Sequence, residues 1–562
     1  MARRAPDADP VDWVTRAADG AIRHAGEGNL VTCASGISPS GPIHLGNLRE
    51  FLTVHFVAEE IRSRGVPVRH LHSWDDYDRF RKVPVGVDPA WSEHIGRPLS
   101  AVPDPGGEYS SWAERFKAPL RSALAEIGCE MEEIDQTTMY RAGAYRDQIL
   151  TVVARRREID EVLGRYRTKA PTPTGDQEAE ALADSVAFDR VEGDELARFP
   201  YKAYCRDCGR DTTTATSYDD DSTVLTYVCS VCDYHGETEL ATQHEGKLVW
   251  KVDWPMRWAY ERVDFEPAGA DHSSPGSSFT VGHELVERIW GWPRPSWFGY
   301  SFVGFAGMAK MSSSKGGVPT PLEALQVLEA PVLRWLYVRR QPKQSFDVDF
   351  GPEVVRLYDE WDALGRKAAD PARRDVQVLA FERASATSSA GRLPTPEVVV
   401  PFRTLHAAAD ITAGDEVQIS RVVTDLGYPH DTVTALEPRL RRARTWTEEY
   451  VPAADRTVVR TEPDAARLAG LDDAETGWLR LLREGLLAGS ADLDSMTSLV
   501  YGVPKLARGL ALDDPPTAEV KADQKRFFGL LYRLLVGADR GPRLPTLLLA
   551  IGPDRLLPLL TP

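Results

Sequence analysis

The chain has 562 residues and a mass of 62.3 kDa, too long for one ordinary hydrophobic core, so about three or four structural units are expected. Hydrophobic residues make up 42% of the sequence, which excludes wholesale disorder. No apolar stretch approaches the ~20 residues that a membrane-spanning helix needs, so we expect a soluble cytoplasmic protein.

The charge balance is acidic, with 67 Lys and Arg against 84 Asp and Glu and a formal net charge of −17. No global field attracts nucleic acid, and an RNA partner would have to be met by local basic patches. The candidate patches are Arg155 to Arg157, then Arg439, Arg441, Arg442 and Arg444, and finally Lys521, Lys525, Arg526, Arg533, Arg540 and Arg543. Each of these clusters could equally well be the solvent-exposed face of a helix.

The N-terminal region predicts a strand, a crossover helix and a second strand. A helix over 11–24 precedes a strand over 29–34 and a turn that runs to Asn47. Strand, helix and strand form a βαβ unit, which predicts an α/β domain with a parallel sheet. The helix after the turn has an apolar stripe of Phe51, Val54, Ala58 and Ile61, stops at Gly65, and is followed by a strand over 66–74.

The alternation of predicted strands and helices is lost from about 104 to 241 and then returns, which predicts a sheet that is split in sequence. The part after 350 is mostly helical, interrupted by a segment over 384–396 that we expect to be flexible. The remaining predicted elements are helices over 112–127, 144–165 and 283–290, strand-like alternation over 248–254 and 263–269, and an apolar run over 297–305.

Two segments have the composition of phosphate-binding loops. Residues 35–47, SGISPSGPIHLGN, lie between a strand and a helix, where glycine permits close approach and His44 with the helix N-terminus can stabilise an anion. Residues 310–316, KMSSSKG, offer two lysines and three hydroxyls to a triphosphate. Taken alone, the first could be a turn with a capping histidine and the second a solvated surface loop.

Four of the six cysteines form two CxxC pairs separated by twenty residues. Cys205, Cys208, Cys229 and Cys232 can close tetrahedrally around a Zn²⁺ ion that has no open position, so a structural zinc is expected. A catalytic dithiol is disfavoured because neither pair lies in a thioredoxin-like βαβ context. Cys33 and Cys129 are expected to be isolated buried thiols.

In this order, the two loop segments resemble the HIGH and KMSKS signatures of class I aminoacyl-tRNA synthetases. Further segments resemble the class I lysyl-tRNA synthetase family in particular. They are GISPSG at 36–41, DDYDRFRKVP at 75–84, WKVDWPMRW at 250–258, EPAGADH at 266–272, YDE at 358–360 and GPRL at 541–544. The resemblance runs from about residue 12 to the C-terminus and implies ATP and L-lysine as substrates and tRNA(Lys) as partner.

The resemblance also implies roles for the loop residues. Amino-acid activation builds negative charge on the α-phosphate and on departing pyrophosphate, so positive charge and placement dominate catalysis, with Mg²⁺ bridging phosphates. His44 is expected at the α-phosphate and Lys310 on the pyrophosphate side. The full expected sets are Ser40, Gly41, His44, Gly46, Asn47 and Lys310 for ATP, and His44, Asn47, Lys310, Ser312, Ser313 and Lys315 for catalysis.

The amino-acid pocket must pair the lysine ε-ammonium, because an unpaired buried charge is costly. Asp75 and Asp253 are the candidate partners, although Asp75 could equally cap a helix and the tryptophans could be plain core. The expected pocket residues are Gly36, Ser38, Asp75, Trp250, Asp253, His272 and Tyr300.

The sequence thus predicts a split Rossmann-type α/β fold with a zinc-bearing insertion and an all-helical C-terminal domain. We expect the first half of the catalytic domain at 1–103, the insertion at 104–245, the second half at 246–350 and a helical anticodon-binding region at 351–562. No membrane contact is expected, and a monomer is favoured. The alternatives are another class I synthetase, a tRNA-independent aminoacyl-adenylate ligase, or an inactive tRNA-binding homologue, for which Ala270 is the hint, since this family commonly has a basic residue there.

Overall fold

The computed structural model describes residues 10–166, 196–270, 277–306, 318–489 and 492–561. The chain divides into two compact units. The first consists of Met1–Leu325, Ala330–Asp349 and Leu364–Leu393, and the second of Gln326–Glu329, Phe350–Ala363 and Pro394–Pro562. Within the described ranges, no helix is both long and apolar enough to cross a bilayer.

The strands in chain order are β1 (Val31–Ile37), β2 (Val68–Trp74), β3 (Glu132–Asp135), β4 (Tyr201–Ala203), β5 (Thr213–Tyr218), β6 (Val224–Cys229), β7 (His235–Glu239), β8 (Gly246–Leu248), β9 (Ala268–Gly269), β10 (Gly299–Tyr300), β11 (Val303–Phe305), β12 (Phe346–Val348), β13 (Ala386–Thr387) and β14 (Gly391–Arg392). The helices up to residue 385 are α1 (Trp13–Ala25), α2 (Leu45–Ser63), α3 (Trp112–Glu126), α4 (Gln136–Arg141), α5 (Arg146–Ala154), α6 (Arg156–Tyr166), α7 (Trp250–Glu261), α8 (Ser278–Leu285), α9 (Pro321–Val327), α10 (Ala330–Val338), α11 (Glu353–Ala368) and α12 (Val376–Ser385).

A parallel sheet forms the core of the first unit. The strands β1, β2 and β3 pair in that order, and the β1–β2 register aligns Val31 with Val68 and Ile37 with Trp74. The connection from β1 to β2 is α2, as the sequence predicts. All four members of its apolar stripe are buried, and Gly65, with φ of +74°, follows the end of the helix.

The sheet continues with residues from much later in the chain. Phe265 bridges in parallel to Cys33 on one side and to Ser296 on the other, and the Ala34 amide donates to the Phe265 carbonyl at 2.8 Å. Beyond these bridges, β9 pairs in parallel with β10. The predicted α/β fold with a parallel sheet split in sequence is therefore confirmed.

Two predicted elements differ in the structure. Residues 248–254 were expected to alternate as a strand, but α7 begins at Trp250. Trp250, Trp254 and Trp258 recur every four residues and pack along one helix face. Trp250 stacks on Trp254 with ring centroids 5.1 Å apart, and Trp258 packs at a tilt against Trp254 at 5.3 Å. Spacing of four fits both an alternating strand and a helix, and packing of the indole rings selects the helix.

The segment that breaks the sheet begins later than residue 104. Both α3 and β3 lie inside the predicted insertion, yet β3 pairs in parallel with β2. This strand was missed because its sequence, EEID, is short and charged at an exposed edge of the sheet. After β3 come α4, α5 and α6 and then two small antiparallel sheets, β5–β6–β7 and β4–β8.

The segment expected to be flexible, 384–396, includes the end of α12 and the antiparallel hairpin of β13 and β14. Arg383, just before it, pairs with Asp12 and Glu60, which lie at the start of α1 and near the end of α2. These contacts within the first unit hold the end of α12 against α1 and α2.

The second unit is helical in its described residues, as predicted for this part of the chain. At its centre, the buried Arg439 pairs with Glu329 and Asp362, and Tyr358 stacks on Phe402 with centroids 4.3 Å apart. Arg439 and Arg442 are therefore interior residues rather than the RNA contacts that the basic cluster suggested. Its further helices are α13 (Phe402–Ile411), α14 (Glu416–Asp425), α15 (Arg439–Tyr450), α16 (Ala465–Ala469), α17 (Asp473–Leu487), α18 (Leu493–Ala507), α19 (Ala518–Val536), α20 (Leu544–Ile551) and α21 (Pro553–Leu559).

Candidate active site and cysteine cluster

The turn from β1 into α2 forms the nucleotide side of the candidate site. His44 is the extended residue that precedes α2, and its backbone amide donates to Asn47 Oδ1 at 3.1 Å. The Ser40 carbonyl accepts from the Trp112 indole at 3.0 Å, which anchors the turn. The first-turn amides of a helix attract anions. Gly41 and Gly46 lie in the same stretch of chain, so the predicted residues of this segment are close together.

The start of α2 is also fixed to a segment from later in the chain. The Leu45 amide donates to the Pro319 carbonyl at 3.1 Å, and the buried Tyr337 hydroxyl donates to the Leu45 carbonyl at 2.7 Å. In sequence, Pro319 closely follows the KMSSSKG segment. The predicted residues Lys310, Ser312, Ser313 and Lys315 themselves lie outside the described residues, as does His272.

Glu50 on α2 links two predicted pocket residues. Its carboxylate accepts from the Gly36 amide at 3.4 Å and from the Tyr300 hydroxyl. Because Gly36 is the second-last residue of β1 and Tyr300 ends β10, this contact joins the carboxyl-end regions of two strands. Sequence analysis missed Glu50, for which the only signal was an acidic residue on a helix facing a sheet.

Two further pocket residues have polar atoms without partners. Ser38 Oγ and Trp250 Nε1 are buried and make no hydrogen bond to the described part of the chain. A buried donor without a partner is costly, so such atoms often face a ligand. Trp250 stacks on Trp254 and has the Arg257 guanidinium 5.2 Å from its ring centroid.

Asp75 and Asp253 belong to a buried ionic cluster centred on Arg257. The guanidinium donates to Asp75 Oδ1 at 2.7 Å, to Asp253 Oδ2 at 2.8 Å and to Ser73 Oγ at 2.8 Å. The Tyr140 hydroxyl donates to Asp253 Oδ1 at 2.5 Å. Both Asp253 oxygens are thus engaged inside the protein, so its predicted role as the partner of the substrate ammonium is not supported.

Lys247 extends the same cluster toward Asp78. Its ammonium pairs with Asp78 and lies 3.5 Å from Asp253 Oδ2. Burial opposes ionisation of Asp78, yet Lys247 holds its pKa below the ordinary value. The carboxylates of Asp75, Asp78 and Asp253 thus share this buried region with Lys247 and Arg257. Arg81 also lowers the pKa of Asp78, whereas burial raises the pKa of Asp75. Sequence analysis missed Arg257, although its spacing of four from Asp253 on α7 was a signal.

Glu266 follows Phe265, the residue that forms the two β-bridges, and its carboxyl group accepts hydrogen bonds from two indoles. Trp254 Nε1 donates to Oε1 at 2.9 Å and Trp258 Nε1 to Oε2 at 2.6 Å. Burial raises the pKa of Glu266 to about 7, against the opposing effect of these two donors. The group therefore titrates near neutral pH inside the wall of tryptophans.

The four CxxC cysteines converge as the spacing predicts. Cys205 and Cys232 have their sulfurs 3.6 Å apart, and Cys208 and Cys229 have theirs 3.7 Å apart. In a tetrahedral site with Zn–S bonds of about 2.3 Å, neighbouring sulfurs lie about 3.8 Å apart. The four thiols are therefore already arranged to hold such an ion.

Two matching turns produce this arrangement. In each, the residue after the second cysteine has a positive φ, +72° at Gly209 and +56° at Asp233, and its amide donates to the carbonyl of the first cysteine. Arg97 Nε donates to the Cys208 carbonyl at 3.2 Å, which joins the first turn to the chain between β2 and α3.

A parallel sheet split in sequence, with a helix N-terminus and an ionic pocket at its strand ends, is typical of a nucleotide-binding α/β enzyme. The sequence profile of the tRNA synthetases class I (K) matches residues 11–388, and the chain belongs to this family.

Curated relatives match over nearly the whole chain. A lysine–tRNA ligase of Streptomyces coelicolor is 51% identical, with 99% of both chains covered. One of Thermococcus kodakarensis is 33% identical over 96% of this chain and 98% of its own, and one of Treponema pallidum is 32% identical over 97% of each.

Proposed function

We propose that the chain is a lysine–tRNA ligase that makes lysyl-adenylate from ATP and L-lysine and transfers the lysyl group to tRNA(Lys). The observation that carries the proposal is family membership together with 51% identity to a lysine–tRNA ligase along the full length. The helix N-terminus at His44 and the buried carboxylates around Arg257, Asp75 among them, supply the chemistry this reaction needs.

ATP is assigned to the turn before α2. Ser40, Gly41, Gly46 and Asn47 would line the nucleotide, and His44 with the first-turn amides would stabilise charge on the α-phosphate. Mg²⁺, when bound with ATP, would neutralise negative charge on the phosphates. The contact between Leu45 and Pro319 supports a role for Lys310, Ser312, Ser313 and Lys315 on the pyrophosphate side, because it ties the chain just after them to α2.

Activation is then a displacement at phosphorus. A lysine carboxylate oxygen bonds to the α-phosphorus while the bond to the pyrophosphate oxygen breaks, which yields lysyl-adenylate and pyrophosphate. In the second step a hydroxyl of the terminal tRNA ribose attacks the lysyl carbonyl carbon, and AMP departs. The protein contributes placement and positive charge rather than a covalent group.

For the lysine ε-ammonium we assign Asp75 rather than Asp253. Asp75 meets Arg257 through one oxygen, Oδ1, in the described contacts, whereas Asp253 uses both oxygens. A substrate ammonium beside Asp75 would favour the ionised form of this carboxyl, whose pKa burial raises. Gly36, Ser38, Trp250, Tyr300 and His272 would form the rest of the pocket. Ser38 Oγ and Trp250 Nε1, which have no hydrogen-bond partner among the described residues, support this assignment.

We assign Zn²⁺ to Cys205, Cys208, Cys229 and Cys232, since the sulfur spacing fits the ion before any rearrangement. With four thiolates the ion would have no open position and would be structural. The helical second unit is assigned to tRNA, whose unpaired anticodon bases would be read by stacking and edge contacts.

The decisive experiment is amino-acid-dependent ATP–pyrophosphate exchange with each of the twenty amino acids, with and without tRNA. Lysine alone should support exchange or, if tRNA is required, lysine with tRNA. Exchange with another amino acid but not lysine would identify a different synthetase. Exchange without aminoacylation of any tRNA would identify an adenylate ligase, and no exchange would identify an inactive homologue.

The role of His44 is tested by His44→Ala. Loss of one group that stabilises transition-state charge costs about 3–4 kcal/mol of barrier, so lysine-dependent exchange should fall about a hundredfold or more while unfolding is little changed. His235→Ala is the matched control, because His235 is an exposed histidine on β7. Equal exchange rates in the two variants would contradict the assignment.

A further inference from the structure

A second group of metal-ligating side chains lies in the first unit, apart from the CxxC cysteines. His55 on α2, His70 on β2 and Cys129 just before β3 have ligand atoms within 4.8 Å of one another. All three residues are buried, and the rings of His55 and His70 have centroids 6.0 Å apart. Neither the proposed reaction nor the proposed zinc site uses them.

The hydrogen bonds of His70 prepare it for ligation. Its Nδ1 lies 3.1 Å from the Glu130 carbonyl, an acceptor, so the proton belongs on Nδ1 and the lone pair on Nε2. A carbonyl that accepts a hydrogen bond from the other ring nitrogen fixes the tautomer and orientation of ligating histidines in this way. His70 Nε2 and His55 Nε2 are both buried and have no hydrogen-bond partner in the part of the chain that is described. Two such nitrogens beside a thiol are costly unless something binds them.

The charge around the group favours an ion of low charge. Arg334 is buried, and its guanidinium donates to the carbonyls of Ile127, Arg383 and Ala384. Ile127 is two residues from Cys129, so a buried cation adjoins the group. Two neutral imidazoles and one thiolate sum to −1, which a monovalent ion neutralises, whereas a divalent ion would leave a positive charge near Arg334.

Coordination number points the same way. Zn²⁺ in structural sites almost always has four protein ligands, but this group has three within the ranges that the structure describes. Soft monovalent copper is bound by thiolate and imidazole. Three ligands around a metal at bond lengths of about 2.0–2.3 Å lie roughly 3.5–3.8 Å apart, so closure by little more than ~1 Å suffices.

We propose that His55, His70 and Cys129 form a three-coordinate site for a soft monovalent metal ion of the Cu(I) type. Binding would form one sulfur–metal bond and two nitrogen–metal bonds and release the Cys129 thiol proton to solvent. The site would join α2, β2 and the start of β3 behind the candidate active site.

The test uses the full chain titrated anaerobically with Cu(I) against a competing chelator, followed by X-ray absorption at the copper edge. We expect one copper per chain with a shell of one sulfur and two nitrogens. A sulfur-only shell would place the copper in the CxxC cluster and overturn the proposal, as would no binding. Zn(II), titrated in parallel, should not fill this site.

Two variants sharpen the result. Cys129→Ser should weaken Cu(I) binding by about 100-fold or more, since even the loss of a group that only hydrogen-bonds to a metal ligand costs about 10–100-fold in metal affinity. Cys33→Ala is the matched control, because Cys33 is also a buried thiol and is aligned with His70 in the β1–β2 register. Loss of binding in the control, or its retention in Cys129→Ser, would contradict the three named ligands. Because Cys129→Ser could fail to fold, the X-ray absorption spectrum of the unaltered chain tests the copper ligands independently of the variant. Lysine-dependent ATP–pyrophosphate exchange by the unaltered chain tests the proposed ligase function separately from copper binding.

Discussion

Arg257 is the residue on which the buried ionic cluster depends. It neutralises Asp75 and Asp253, both buried, so Arg257→Met would leave two carboxylates without their main counter-ion. Breaking a buried pair in this way costs about 3–5 kcal/mol. We expect this loss in the free energy of unfolding of the first unit, measured in urea. Arg146→Met, which removes an exposed pair with Asp147, should change it little. Similar stabilities for the two variants would contradict the argument.

Glu266 predicts a pH dependence of stability. The folded-state pKa of about 7 lies above the ordinary 4.5, so the folded chain retains a proton that the unfolded chain has released between these values. The stability contributed by Glu266 is therefore complete below about pH 4.5 and falls as the pH rises toward 7. Glu266→Gln cannot titrate. Its stability relative to the unaltered chain should improve by roughly 2–3 kcal/mol between pH 4.5 and pH 8, measured by urea unfolding across that range. A pH-independent difference would refute the raised pKa.

At the level of residues, sequence reasoning reached the groups that lie close together in the chain. His44, Asn47 and the turn around them follow from one segment between a strand and a helix. Arg257, Lys247 and Glu50 could not be found in the same way, because each meets a partner more than 100 residues away in the chain, namely Asp75, Asp78 and Tyr300. Asp253 has one partner, Arg257, four residues along α7 and another, Tyr140, on α4, and only the tertiary structure shows that both of its oxygens are engaged.

At the level of elements, the βαβ unit was predictable because α2 has a clear helical stripe between two apolar strands. Two elements were not. The edge strand β3 lacks an apolar run, and α7 has tryptophans whose spacing satisfies two periodicities. Tertiary contacts decided both, through pairing with β2 and stacking of the indoles.

The cysteine cluster predicts a link between a structural element and lysine binding. Next to it, Tyr204 donates to the Tyr77 carbonyl at 2.6 Å, and Lys247 on β8 pairs with Asp78. Cys208→Ser should therefore release bound zinc, expose residues 196–248 to protease and raise the KM for lysine more than it lowers kcat. Asp207→Ser, an exposed neighbour that is not a ligand, should do none of these. Normal zinc content or an unchanged KM in Cys208→Ser would count against the link.

On the scale of the whole molecule, a net charge of −17 must be reconciled with a polyanionic tRNA. Lys521 and Lys525 are exposed, lie four residues apart on α19, and have no ion-pair partner within the described residues of the second unit. Such lysines can neutralise phosphates, and each lost phosphate contact lowers the salt slope of binding by about one.

Reversal of both lysines, Lys521→Glu with Lys525→Glu, should therefore weaken tRNA binding and flatten its dependence on salt, measured by filter binding from low to physiological ionic strength. Arg373→Glu with Arg374→Glu changes the charge equally, but these arginines already pair with Asp370 and Glu382. An acidic protein that binds RNA through a local patch should show the effect in the first pair alone. Equal losses in both pairs would mean that overall charge governs the encounter with tRNA and that α19 has no special part in it.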